Sequence, residues 1–340
     1  MFVNILDYLR YKIWFNFLIG GRGVGKTFST LNGLLNGEIK KILEQLEKKK
    51  GIFIYLRTSA KELEIAADSN VFTVVDKRIK WRKLEEDFYA IEKNNKLIGY
   101  GCALSTFKNI RGVNFENVDI IFHDEFIPEL SARRILKNEA DAFFNLIESV
   151  NRNREIFGHD PILYIACANA NNIYNPYFSA LKIIDKVEWA ICEGSNRYID
   201  YERGLQVVML KASPEYVEAK RKTALYKLTA GTDFEKMALD NEFSYNDFSL
   251  IKKNVKIAGY VPVLKIDDIV IWKKKNEKNY IARYSNVKIK KTFKSSDDLQ
   301  RRIFFKNYRE QFYLAILNEN MFFDNYEIKK KIFEILKIKC

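Results

Sequence analysis

The sequence predicts an α/β fold: a mainly parallel sheet with a phosphate loop at its first strand, then a smaller α/β domain. Three observations carry this. Short apolar runs rich in branched and aromatic residues alternate with helical patterns over the first two-thirds of the chain. The stretch "WFNFLIGGRGVGKTFS" passes from such a run through Gly20-x-x-x-x-Gly25-Lys26-Thr27 into a helical pattern. A later run, "VDIIFHDE", ends in the acidic pair Asp124–Glu125. Buried parallel strands read as near-continuous apolar runs, and their alternation with helices calls for a sheet covered on both faces.

Taken in order, the strand candidates are 14–19, 51–56, 118–122, 162–168, 187–191 ("VEWAI") and 205–210. Helical spacing marks 28–36, 131–150 and 177–184, and Ser131 is placed to N-cap the second of these. After about residue 211 the pattern changes. The stretch 213–232 is polar and helical, ends at Gly231 and reads as a lid or linker. Beyond it come strand-like runs, "YVPVLKI" and "DIVIW", and two amphipathic helical stretches. The expected division is therefore 1–211, a P-loop domain; 212–232, a linker or lid; and 233–340, a second domain.

Composition bounds the function. The 340 residues are 47% hydrophobic and 14% aromatic, enough for two cores. The four cysteines show no C-x-x-C spacing and lie away from both histidines, which disfavours a zinc site or disulfide framework and points to a reducing, intracellular setting. The apolar N-terminus is interrupted by Asp7, Arg10 and Lys12 and runs into the glycine loop, so it reads as mature protein rather than a signal peptide. No window reaches the ~18 apolar residues of a membrane span. The net charge of +13 is uneven: residues 251–340 hold 22 Lys and Arg against 10 Asp and Glu. That quarter of the chain is expected to face a polyanion.

The glycine loop matches the P-loop pattern in full, and each position has a chemical reason. Gly20, Gly21, Gly23 and Gly25 let the backbone curl through Arg22 and Val24 so that several N–H groups aim at phosphate oxygens. Lys26 adds charge to the same oxygens, the Thr27 hydroxyl suits Mg²⁺, and the helix behind turns its positive end to the phosphates. Asp124 would hold Mg²⁺ through water and Glu125 would polarise the attacking water. The Asp-Glu order marks ATPases with an additional strand rather than Ras-like GTPases, and no guanine-reading motif is present. ATP with Mg²⁺ is the expected cofactor pair.

Further polar positions fit the same chemistry. Asn169 ends the run "LYIACA", where its side chain can sense a γ-phosphate. Arg152 and Arg154, at the end of the helix after the acidic pair, are candidates to reach a neighbouring subunit's nucleotide, and Arg22 can act within its own loop. Competing readings are a helicase or helicase loader, whose further motifs are missing, and a nucleotide-binding structural protein, against which Glu125 argues.

With "FLIGGRGVGKTFS", "IFHDEFIPE", "LIESVNRNRE" and "CANANNIYNPYF" in this order, the chain resembles viral large-terminase ATPases, and more specifically the DNA-packaging ATPases of phi29-like small tailed phages. The resemblance covers roughly residues 10–245 well and the remainder by length and charge. It implies an ATP-driven translocase of double-stranded DNA, acting as a homomeric, pentameric ring at the portal vertex of a procapsid in the host-cell cytoplasm, with a phage packaging RNA between ring and portal. It implies the loop roles for Lys26 and Thr27, the magnesium and catalytic carboxylates for Asp124 and Glu125, and a trans-acting arginine for Arg152. Lys108 or Arg111, in "STFKNIRG", falls near a second basic residue that acts across subunits.

The resemblance also implies a C-terminal domain derived from an RNase H-like nuclease. A two-metal nuclease needs a carboxylate on its first strand with others converging on it. The candidate first strand, 256–266, carries none before Asp267, and Asp267, Asp268, Asp297 and Asp298 fall at turn or helix-start positions. The nuclease is expected to be lost, leaving a basic surface for DNA or RNA.

Overall fold

The computed structural model describes residues 2–10, 12–39, 41, 51–110, 112–127, 138–169, 173, 175–232, 235, 239, 250–252, 255–318 and 320–336. The chain divides into two compact units, Met1–Ser244 and Tyr245–Cys340. The polar helices expected as a linker, α6 (Pro214–Arg221) and α7 (Ala224–Leu228), fall in the first unit. Among the described residues no helix is long and apolar enough to cross a membrane.

The first unit is built on a nine-stranded sheet whose order is β3-β4-β5-β2-β6-β7-β1-β9-β8. Its heart is parallel: β1 (Phe15–Gly20), β2 (Ile52–Arg57), β6 (Val118–Asp124), β7 (Leu163–Asn169) and β9 (Leu205–Leu210) run the same way. Every residue of β6 and β9 is buried, which only strands covered on both faces require. The strand β7 lies between β1 and β6, which is the additional strand that the Asp-Glu order leads one to expect. Phe17, fully buried on β1, packs against Phe126, Tyr164 and Phe178 at ring-centroid distances of 5.3, 5.6 and 5.5 Å.

Two expectations need correction. The run 187–191 is not a strand: it lies in helix α5 (Ile184–Cys192). Val187 and Ala190 bury one face with Ile183 while Trp189 is 56% exposed, a period no strand has. So short a run, four apolar residues around Glu188, does not by itself distinguish the two. The helical stretch 177–184 is instead a short helix, α4 (Pro176–Ala180), ended by a turn in which Lys182 has φ 55°, after which α5 begins. The helix expected over 131–150 is described as α3 (Glu139–Asn151), and Ser131 lies outside the described residues.

The sheet also has antiparallel margins that the apolar runs do not announce. Strands β3 (Ile79–Glu85), β4 (Phe88–Lys93) and β5 (Lys96–Ala103) form two hairpins. Their turns place Asp87, Asn94 and Asn95 at φ 57°, 51° and 62°, the left-handed region that short Asx side chains tolerate. On the other side, β8 (Arg197–Asp200) pairs antiparallel with β9.

The second unit has its own five-stranded sheet, ordered β13-β10-β11-β12-β14. Strands β10 (Tyr260–Ile266), β11 (Ile269–Lys274) and β12 (Tyr280–Tyr284) form an antiparallel meander. Strands β13 (Thr292–Phe293) and β14 (Met321–Phe323) flank it in parallel pairing with β10 and β12. Helices α8 (Asp298–Leu317) and α9 (Tyr326–Leu336) close its core through Phe304, Phe312, Ile328 and Ile332.

The packing around Phe17 gives a stability prediction. Phe17→Ala removes a ring that touches β7, α4 and the segment after β6, so unfolding should cost about 3–5 kcal/mol less. Urea unfolding should show a lower midpoint at an unchanged slope, and an unmoved midpoint would contradict this core.

Candidate active site

The site forms where β1, β7, β6 and β2 end side by side. Strand β1 ends at Gly20, paired in register with Asn169 on β7, and the loop 21–25 leads into helix α1 (Lys26–Leu35). Gly25 caps that helix at φ 95°, a conformation that a side chain would strain. The first turn of α1 therefore presents its free N–H groups, and their positive field, at the loop.

Lys26 is buried, and its ammonium donates to Gly20 O (2.9 Å), Gly21 O (2.7 Å) and Asn169 Oδ1 (3.1 Å). Burial lowers its pKa to about 8, against the pull of Asp124 and Glu125, and the nearby charge of Arg22 pushes the same way as burial. A polyanion in the loop would reverse that penalty. Thr27 donates its hydroxyl to Asp124 Oδ1 at 2.9 Å, across a sequence gap of 97 residues.

Asp124 is the hub. Besides Thr27, its other oxygen accepts from Tyr55 Oη (3.2 Å) and Arg57 Nη1 (3.3 Å), both on β2. Burial raises its pKa, with Arg57 and the hydrogen bonds from Thr27 and Tyr55 opposing. A carboxylate held this way gains from any further cation, and Asp124 with Thr27 forms an oxygen pair suited to Mg²⁺. Glu125 stands at φ 57°, is 57% exposed on its side chain, and accepts from Arg57 Nη2 at 2.6 Å. Arg57 thus bridges both acids. One residue back on β6, His123 is buried and hydrogen bonded to Tyr164 Oη (2.8 Å) and Thr58 Oγ1 (3.2 Å), with its pKa pushed down to about 3 by burial. It ties the ends of β2 and β6 to the first residues of β7 as a neutral ring.

Of the residues expected at the site, Lys26, Thr27, Asp124, Glu125 and Asn169 are brought together, with Arg22 on the same loop. The arginines after α3 separate. Arg154 forms an ion pair with Asp119 (3.3 Å) and donates to the carbonyls of Glu116 (3.0 Å) and Val118, at the opposite end of β6 from Asp124. Its guanidinium is spent inside its own subunit, which counts against a trans-acting role. Arg152 caps α3 at φ 47° and is exposed, bonded to Ser149 O and Val113 O at 3.3 and 3.4 Å. Lys108 is exposed on the 3₁₀ turn Phe107–Ile110, and Arg111 lies outside the described residues.

Sequence reasoning missed Arg57 and Tyr216. Arg57 ends the apolar run "IFIYLR", the same polar-after-apolar signal that marked Asp124. Tyr216, on α6, donates to Gly23 O at 2.5 Å, and a Cβ at Gly23 would stand 2.9 Å from its hydroxyl. The glycine here makes room for α6 on the loop.

A parallel sheet whose first strand runs through a glycine loop into a helix, with an acidic pair two strands away, defines the P-loop class of α/β proteins. Within it, the chain belongs to the podovirus DNA encapsidation protein (Gp16) family, whose model matches residues 1–339. It is 28% identical over 347 residues to the DNA packaging proteins of Bacillus phages PZA and phi29, spanning 99% of this chain and 97% of each of those proteins. Its fold is similar to a chain of the solved bacteriophage phi29 genome packaging motor assembly, with a TM-score of 0.63 at 21% identity, covering 100% of this chain and 99% of that one.

The bridge made by Arg57 gives a prediction about cations. Arg57→Ala leaves the buried Asp124 without its guanidinium and should destabilise the protein by about 3–5 kcal/mol. Added Mg²⁺ should then raise the melting temperature of the variant more than that of the wild type, by replacing the lost charge. Equal Mg²⁺ shifts in the two proteins would contradict a cation site at Asp124.

Proposed function

We propose that the chain is the ATPase motor that drives double-stranded DNA into a phage procapsid. The observation that carries this is the convergence of Lys26, Thr27, Asp124 and Glu125 on adjoining strand ends in a member of a DNA encapsidation family whose model matches residues 1–339. Lys26 exchanges the loop carbonyls for β- and γ-phosphate oxygens. Thr27 and Asp124 would hold Mg²⁺, which would neutralise charge on the phosphates. Glu125 orients the attacking water and takes its proton once it leaves Arg57, and Asn169 registers the γ-phosphate through Lys26.

In the proposed motor the chains assemble as a pentameric ring at the portal vertex, in the host-cell cytoplasm, together with a packaging RNA. Arg152 serves the neighbour's nucleotide, with Lys108 or Arg111 as a second cation across the interface. Its place supports this: α3 ends at the end of β6 and β7 away from their own phosphate loop, so Arg152 stands apart from its own nucleotide site. Head-to-tail contacts of that kind close as a ring.

The basic second unit, proposed to be an RNase H-like domain without its nuclease, grips nucleic acid by its backbone. The roles of its acids support the loss. Asp267 accepts from Ser295 N and Oγ, Asp297 caps α8 through Leu299 N and Gln300 N, and Asp298 pairs with Arg301.

Glu125→Gln should bind ATP and not hydrolyse it, and Arg152→Ala should lose most turnover. Mixed rings of the two inactive variants should regain part of it, because some interfaces pair an intact Arg152 with an intact Glu125. Wild-type turnover by Glu125→Gln would overturn its catalytic role, and no recovery in rings shown to be mixed would overturn the trans role of Arg152.

A further inference from the structure

We infer that Phe2 and Phe28 form the platform on which the base of the bound nucleotide stacks, an inference that rests on the nucleotide reading above. The phosphate loop has two distinguishable ends. Lys26 Nζ, Asn169, Asp124 and Glu125 gather at one, where a γ-phosphate belongs. The other is the first turn of α1 beyond Gly25, where the α-phosphate lies and from which sugar and base must leave the cradle.

Two large aromatic rings stand at that exit. Phe28 projects from the first turn of α1 and is 40% exposed, and Phe2 is 56% exposed. Their ring centroids are 5.8 Å apart, and Phe2 lies 6.3 Å from the ring of Tyr216 on α6. Phe2 is held in place rather than trailing. Val3 N donates to Val24 O (2.9 Å) and Ile5 N to Ser29 Oγ (2.9 Å), one anchor on the loop and one on the helix.

Phe2 also packs on the loop itself. A Cβ added at Gly25 would come within 2.8 Å of the Phe2 Cβ. The segment before β1 thus brings a ring to the phosphate loop and leaves it more than half exposed. Single exposed aromatics are ordinary on a surface, but a pair fixed beside a phosphate cradle has an occupant of matching chemistry, the flat face of a nucleobase. Tyr216, bonded to Gly23, links the same platform to α6, so the base would be sensed by the loop and by the helix above it.

The test compares Mg·ATP with Mg·tripolyphosphate, which has the phosphates and no base, by calorimetry on the full chain. Phe28→Ala and Phe2→Ala should each weaken ATP binding about tenfold and leave tripolyphosphate binding unchanged, while Phe28→Trp should keep ATP affinity. Unchanged ATP affinity in both alanine variants, or a parallel loss for ATP and tripolyphosphate, would overturn the platform and leave the rings as a surface for a protein partner or as packing for the loop. A wild-type chain that binds neither compound would overturn the nucleotide reading itself, and the platform with it.

Discussion

Asp124 accepts hydrogen bonds from Thr27 on α1 and from Tyr55 and Arg57 on β2, and it does so while buried between them. A carboxylate so placed is costly unless every neighbour is in register, because each lost partner leaves buried charge uncompensated. That requirement fixes the relative heights of β1, β7, β6 and β2, and with them the distance from the phosphate loop to Glu125. One residue back along β6, His123 bridges Thr58 after β2 and Tyr164 on β7 and links three of these strands with neutral groups. The parallel order of the sheet is therefore a condition of the chemistry rather than a background to it.

Arg57 links the two acids of this arrangement. It joins Asp124 and Glu125 at once, so the Glu125 carboxylate is oriented toward β2. Lys26 is parked likewise on the carbonyls of its own loop. In the proposed function both groups would exchange these partners for a triphosphate and its cation, which would link nucleotide binding to the position of Glu125. Glu125 itself stands at a positive φ, a sparsely populated conformation at the site.

Much of the site was legible in the sequence because its signals are local. The phosphate loop occupies eight consecutive positions, and Asp124 closes a run of buried residues that only a central strand explains. Arg57 was not legible, since its meaning comes from a contact with residues 67 and 68 positions away. The two arginines after α3 look alike in "NRNRE". The φ of 47° at Arg152 turns the chain so that Arg154 faces Asp119 while Arg152 stays outside. The run "VEWAI" reads as a strand although it is a helix because four apolar residues around Glu188 fit either period. The hairpins over 79–103 were overlooked because half-exposed margins alternate polar and apolar residues and lack the continuous runs of the parallel strands.

If the strand-end cluster is a motor's engine, its charge chemistry and DNA movement must rise and fall together. The direct measurement is the amount of DNA protected from nuclease inside procapsids, followed in time with the wild-type chain, Lys26→Ala and Glu125→Gln. The account predicts ATP-dependent protection by the wild type and none by either variant, with Glu125→Gln still binding ATP. Protection without ATP, or at the wild-type rate with Glu125→Gln, would contradict it.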